Sequence, residues 1–121
     1  MIGLGIDMVD IGRFRRLLSR RPEAAERIFT AAERSFLADR ADPVPGLAAR
    51  FAAKEATMKA LGTGLGGVRF ADVEVVGGGS GPPRLEVKGL AAGRAEALGI
   101  RFWHVSLSHT DSVAAAVVVA E

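Results

Sequence analysis

Glu55 and Lys59 stand four places apart in "RFAAKEATMKALGTG", so a helix there puts a carboxylate and an ammonium on one side. Lys54 falls instead on the stripe that Leu47, Phe51, Met58 and Leu61 make at helical spacing. An ammonium in that stripe must snorkel outward or meet an acid, because burying it unpaired is costly. Far upstream, Asp7 interrupts the apolar run of Ile6, Met8 and Val9 beside Gly5. Two carboxylates with phosphate oxygens and waters are a normal way to hold Mg²⁺, so Asp7 and Glu55 are candidate metal ligands. Each residue also has a plainer reading. Glu55 and Lys59 make an ordinary surface pair, stabilising by a few tenths of a kcal/mol (~0.3), and Asp7 an edge-facing acid or turn contact. Ala48 and Ala52 share the side of Glu55 and Lys59. That side is thin, which would let a bulky ligand approach the backbone.

These residues need a scaffold. "MIGLGIDMVDI" alternates Ile2, Leu4, Ile6 and Met8 with Gly3, Gly5, Asp7 and Val9, a strand period. A helix over about 12–19 follows, ending before Pro22. Thr30 with Glu33 three places on is the reciprocal cap of a second helix. "ADPVPG" reads as a loop, since close prolines disfavour helix. The long helix is expected from about Leu47 to Leu61, with Gly62 ending it. "DVEVV" and "RLEVK" are short strands around "GGGSGPP", "GLAAGRAEALG" a short helix, and "FWHVSLSHTDSVAAAVVVA" two strands turning at "HTDS". The whole is an α+β arrangement with a mostly antiparallel sheet and a long helix packed against it.

A chain of 121 residues, 49% of them hydrophobic, suits one domain over 1–121 with a real core, though small enough to gain from oligomerisation. It has no cysteine, hence no disulfide or thiolate chemistry. No run reaches a membrane span and the first residues lack a basic leader, so a soluble cytoplasmic protein without membrane association is expected. Net charge is only +2, but thirteen of the sixteen basic residues are arginine and five fall in "RFRRLLSRR" without an intervening acid. Arg13, Arg16 and Arg20 share one helix face, opposite Ile11, Phe14 and Leu18. That face is either simply solvated or a dock for an anionic partner.

Three segments now stand in order: "GIDMVDIGRF", "FTAAE" with "RFAAKEATMKALGTG", and "VSLSHT". Together they resemble the holo-acyl-carrier-protein synthases, small bacterial 4′-phosphopantetheinyl transferases. The resemblance implies the 4′-phosphopantetheinyl transferase fold and a Mg²⁺-dependent reaction. In it, coenzyme A gives its 4′-phosphopantetheine arm to a serine of apo-acyl carrier protein and releases adenosine 3′,5′-bisphosphate. It further implies a role in fatty acid or polyketide biosynthesis and a homotrimer with active sites between subunits.

Carried onto this sequence, Asp7 and Glu55 match the family's metal-binding acids, and Lys59 the lysine at the pyrophosphate. The larger two-lobed relatives have a further acid where this chain has Val9, so water completes the metal shell here; Asp10 would face the other side of the strand. Glu55, directly or across a water, is the favoured acceptor of the serine proton, ahead of His109. His109 is either a structural hydrogen-bonder or, with Thr110, a contact for the nucleotide phosphates; the resemblance favours the contact. Arg50 and Lys54 are weaker phosphate candidates. Gly62 and Gly64 allow the backbone close to the ligand, and Pro83 in "GPP" lines the adenine side or only a turn. The acidic recognition helix of an acyl carrier protein would dock on Arg13, Arg16, Arg20 and Arg21, whose forked guanidiniums suit carboxylates.

Two rival readings explain less. A nucleic-acid module using the arginine helix lacks a stacking platform, since tyrosine is absent and there is one tryptophan. It also leaves Asp7 and Glu55 idle, so no nucleic-acid partner is expected. A non-catalytic coenzyme A-binding subunit would not need the acids either.

Overall fold

The computed structural model describes residues 1–63 and 67–121. Strand β1 (Gly3–Asp10) leads directly into α1 (Ile11–Arg20), because Asp10 ends the strand and caps the helix, accepting from the Arg13 amide at 2.8 Å. A short helix α2 (Ala24–Ile28), not expected from the sequence, fills the stretch before α3 (Ala31–Leu37). Thr30 and Glu33 form the reciprocal cap of α3, as their spacing predicts.

The long helix α4 spans Val44–Leu61 and so starts three residues earlier than expected. "VPG" is its first turn and not a loop. Proline is tolerated there because its missing amide hydrogen has no helical acceptor at that position. Gly62 ends the helix in the left-handed conformation, φ 71°, which glycine adopts without steric cost. A 3-10 turn (Phe70–Asp72) then leads into the hairpin β2 (Val73–Val76) and β3 (Arg84–Val87), the short helix α5 (Gly89–Ala97), and β4 (Trp103–His109) and β5 (Val113–Ala120). Strands β1, β5 and β4 form an antiparallel sheet in that order, with Asp7 opposite Ala116 and His109 opposite Ala114.

Helix α4 lies across the inner face of this sheet. A Cβ built on Gly5 would sit 1.8 Å from the Ala56 carbonyl oxygen, and one on Gly3 2.1 Å from that of Ala60. Neither position admits a side chain. Ala48, Ala52 and Ala56 on the helix, with Ala114, Ala116 and Ala120 on β5, are all buried in the same core. This corrects the expectation that the alanines open the helix to a ligand: Ala48 and Ala52 are wholly buried. The strand alternation holds, but with the small residues inward. Leu4, Ile6 and Met8 face outward, more than half exposed.

Lys59 is the single exposed residue of α4, so this helix is a core helix with a narrow polar window. Two of its charges are buried, Arg50 and Lys54, and Lys54 lies deepest. The ammonium lies 2.8 Å from the Glu33 carboxylate, with both side chains fully inaccessible, and also donates to the Phe70 carbonyl at 3.0 Å and to that of Val73. Burial pulls Lys54 below the usual lysine range and Glu33 opposes this. Lys54 therefore cannot reach a phosphate, which corrects its place among the phosphate contacts. It locks α4 to α3 and to the chain before β2. Lys54→Met strands a buried carboxylate and should cost about 3–5 kcal/mol of stability in urea denaturation. Replacing the pair together, Lys54→Met with Glu33→Gln, should cost distinctly less.

Candidate functional site

The polar window of α4 faces β1. Because Gly5 and Gly3 let the helix down onto the strand, Asp7 on the inner face is within reach of Lys59. The Lys59 ammonium lies 3.1 Å from Asp7 Oδ1 and 2.9 Å from the Ile6 carbonyl. Glu55 lies on the same wall, half-buried. Burial first, and then the neighbouring Asp7, raise its carboxyl above the ordinary glutamate value, with Lys59 working in the opposite direction. Asp7, Glu55, Phe51, Arg13 and Arg20 line one open cleft.

The donor set fits a hard divalent cation. Among the described residues no cluster offers three acidic or histidine ligands. Two close carboxylates, one already holding a cationic group, leave the remaining positions of a Mg²⁺ shell to water and phosphate. Val9 faces the core and has no donor atom, while Asp10, expected on the other side of the strand, lines the same cleft and caps α1 through one oxygen.

Helix α1 forms the other wall of the cleft. Phe14 packs inward and stacks on Phe51, ring centres 5.0 Å apart, leaving Arg13 and Arg20 at the rim. Arg20 and Arg21 line the adjoining surface beyond Leu17. Arg16 lies nearer the Gly12 backbone. Arg15 faces Asp42 in a two-pronged pair at 2.8 and 3.0 Å, so it is committed within the chain.

The remaining candidates gather elsewhere, at the opposite edge of the sheet. His109 and Arg50 line a second pocket with Arg40, Ser108 and Gly78. The Arg50 guanidinium donates to the Gly77 carbonyl at 2.7 Å and lies 4.8 Å from the Phe36 ring centre, while its buried Nε has no partner. Pro83 packs on Gly78, beside that guanidinium. The Thr110 hydroxyl accepts from the Ser112 and Val113 amides and so shapes the β4–β5 turn. Gly62 sits past the end of α4, and Gly64 lies outside the described residues. One chain thus brings together Asp7, Glu55, Lys59, Arg13 and Arg20, and separately Arg50, His109 and Pro83. It does not join the two groups in one pocket.

Sequence reasoning missed two contributors. Glu33 was legible as a helix cap, but its role as partner of Lys54 depends on two distant helices meeting. Arg40 carries no sequence signal; it stands 5.6 Å from the Phe36 ring on the way to the second pocket.

The titration of Glu55 checks the geometry of the cleft. In metal-free protein, its midpoint followed by carbon NMR should lie above that of an ordinary glutamate. It should fall in Asp7→Asn, because the charge that disfavours ionisation is gone. Since a metal needs the ionised form, affinity should fall on acidification from a higher pH than a normal glutamate would give.

The chain is similar to known proteins in sequence and fold. The pattern of the 4′-phosphopantetheinyl transferase superfamily matches residues 3–118. A holo-[acyl-carrier-protein] synthase of Streptomyces griseus is 50% identical over 121 residues, covering 100% of this chain and 98% of that protein. The crystal structure of the synthase from Neisseria meningitidis superimposes with a TM-score of 0.89 at 36% identity, over 100% of this chain and 98% of that one. That of Bacillus anthracis, in complex with CoA (3′,5′-ADP), gives 0.81 at 34% identity, over 98% and 95%. The fold is theirs throughout, and the chain belongs to the 4′-phosphopantetheinyl transferase superfamily, among the holo-[acyl-carrier-protein] synthases.

Proposed function

We propose that this chain transfers the 4′-phosphopantetheine arm of coenzyme A to a serine of an apo-acyl carrier protein, in support of fatty acid or polyketide synthesis. The observation that carries the reading is Asp7 and Glu55 in one cleft with an arginine rim, with the Lys59 ammonium held on Asp7. The Bacillus anthracis relative with its bound CoA supports the donor.

The reaction joins the serine oxygen to the phosphorus that carries the pantetheine arm. The bond from that phosphorus to the bridging pyrophosphate oxygen breaks, and adenosine 3′,5′-bisphosphate leaves. Charge gathers on phosphoryl oxygens, so positioning and cationic stabilisation carry most of the work. Asp7 and Glu55 hold Mg²⁺, which supplies charge neutralisation at the pyrophosphate when bound. Lys59 supplies a second cation from the adjacent turn of α4. Glu55, directly or across a water, takes the serine proton. An apolar groove of about 660 Å³ continues past Leu17 along Ile28 and Phe70, and gives the arm a place away from the reacting phosphate.

Arg13, Arg20 and Arg21 with Arg16 form the docking face for the acidic carrier protein, so encounter should weaken with salt. The second pocket takes the nucleotide end, with His109, Thr110, Arg50 and Pro83 near its phosphates and base. One chain keeps this pocket apart from the acidic cleft, which supports a complete site between chains of the homotrimer that the family resemblance implies. The outward apolar face of Leu4, Ile6, Met8 and Val117 supplies a surface for that association.

Intact mass of an apo-acyl carrier protein, after incubation with the enzyme, coenzyme A and Mg²⁺, tests both statements. The carrier should gain one phosphopantetheine, and Glu55→Gln should slow this by about 10²-fold or more. Asp7→Asn and His109→Ala chains should each be weak alone and regain activity when co-refolded, because a mixed trimer contains one intact interface. Failure to transfer the arm despite tight coenzyme A binding would support a binding subunit instead. Activity that mixing does not restore would contradict the shared site.

A further inference from the structure

Lys59 is the exposed residue of α4, yet its ammonium does not stand free in water. It is held by Asp7 Oδ1 at 3.1 Å and by the Ile6 carbonyl at 2.9 Å. β1 is an edge strand of its sheet, and such a strand leaves some carbonyls without a ladder partner. The Ile6 carbonyl receives Lys59. A lysine gives up side-chain freedom to sit this way, so the attraction at this place is appreciable. Its source is the acidic pair: Asp7 is only 17% exposed and Glu55 is half-buried beside it. Asp7 binds the cation directly, and Glu55 stands near both.

A Mg²⁺ bonded to the same Asp7 oxygen at about 2.1 Å would come within roughly 5 Å of an ammonium left where it is. Two cations at that spacing repel, and they compete for one oxygen's lone pairs. The side chain has freedom to swing, being 55% exposed. We propose that Lys59 is a placeholder cation: it holds Asp7 until a divalent metal takes that oxygen, and its release turns the ammonium toward the anionic part of coenzyme A. This inference rests on Asp7 and Glu55 being the metal ligands. It gives Lys59 a second task, on the free enzyme, that its contact with pyrophosphate does not require.

The arrangement couples the two ligands. The metal frees Lys59 for an anion, and an anion that draws Lys59 away frees Asp7 for the metal. Each therefore favours the other by the same factor. The coupling has a part that passes through Lys59, beyond any direct bond between metal and phosphate.

The test is Mn²⁺ binding to the full chain, followed by electron paramagnetic resonance without carrier protein, for wild type, Lys59→Met and Arg13→Met. Arg13 lines the same cleft and carries the same charge, so its removal measures the general field. Without coenzyme A, Lys59→Met should bind Mn²⁺ roughly two- to fivefold more tightly than wild type, and Arg13→Met should gain less. Adding coenzyme A should tighten Mn²⁺ binding by a larger factor in wild type than in Lys59→Met. Equal gains in the two variants, or unchanged or weaker binding in Lys59→Met, would overturn the placeholder role while leaving the metal site standing. Wild type that binds no Mn²⁺, or binds it as well after Asp7→Asn, would remove the metal reading and this inference with it.

Discussion

The approach of α4 to β1 governs the rest of the molecule. Two glycines on the strand face two helix carbonyls so closely that no Cβ fits at either place. Alanines on α4 and β5 continue the same thin contact. The usual course is to fill a helix–sheet interface with large side chains, which gain more from burial. Here the space goes to proximity instead. A thicker interface would lift Glu55 and Lys59 off Asp7 and spread the charges that the cleft concentrates.

Packing a helix this deeply has a cost. Lys54 has no route to solvent, so its charge must be met inside, and Glu33 with two backbone carbonyls meets it. The Glu33 carboxylate in turn holds the Thr30 and Val75 amides. One acid thus serves as helix cap, strand anchor and counter-ion. Such a network is no large net gain over an apolar core, but removing one member leaves the others uncompensated. It also fixes Phe70, whose ring packs on Phe51 in the wall of the cleft. Fold and site therefore share a scaffold.

Much of this was legible in the sequence. The capping pair Thr30 and Glu33, the stop at Gly62 and the strand periods each depend on neighbours a few places away, and local chemistry decides them. Asp7 stands out as a charge in an apolar run and Glu55 with Lys59 as a pair four places apart, while the resemblance to the family joins the three in one site. The start of α4 lies earlier than the sequence suggests because the first turn of a helix accepts proline. Lys54 departs from its expected place for a different reason. A lysine in an apolar stripe can snorkel or be paired inside, and only the packing of α3 against α4 chooses. The alternation of β1 gave the right period and left open which face is inward; the glycines, not Ile6 and Met8, turned out to face the core. The division of the candidates between two sheet edges depends on strand order and carries no local signal.

The measurement that tests the central claim most directly is Mn²⁺ affinity in Gly5→Ala, taken under conditions where circular dichroism shows the variant folded. A methyl group at Gly5 forces strand and helix apart, so Asp7 should part from Glu55 and Lys59. Affinity should fall by about tenfold or more, although no ligand or charge has changed. A folded Gly5→Ala protein that binds Mn²⁺ as wild type does would contradict the account, because the acidic pair would then assemble without the close approach.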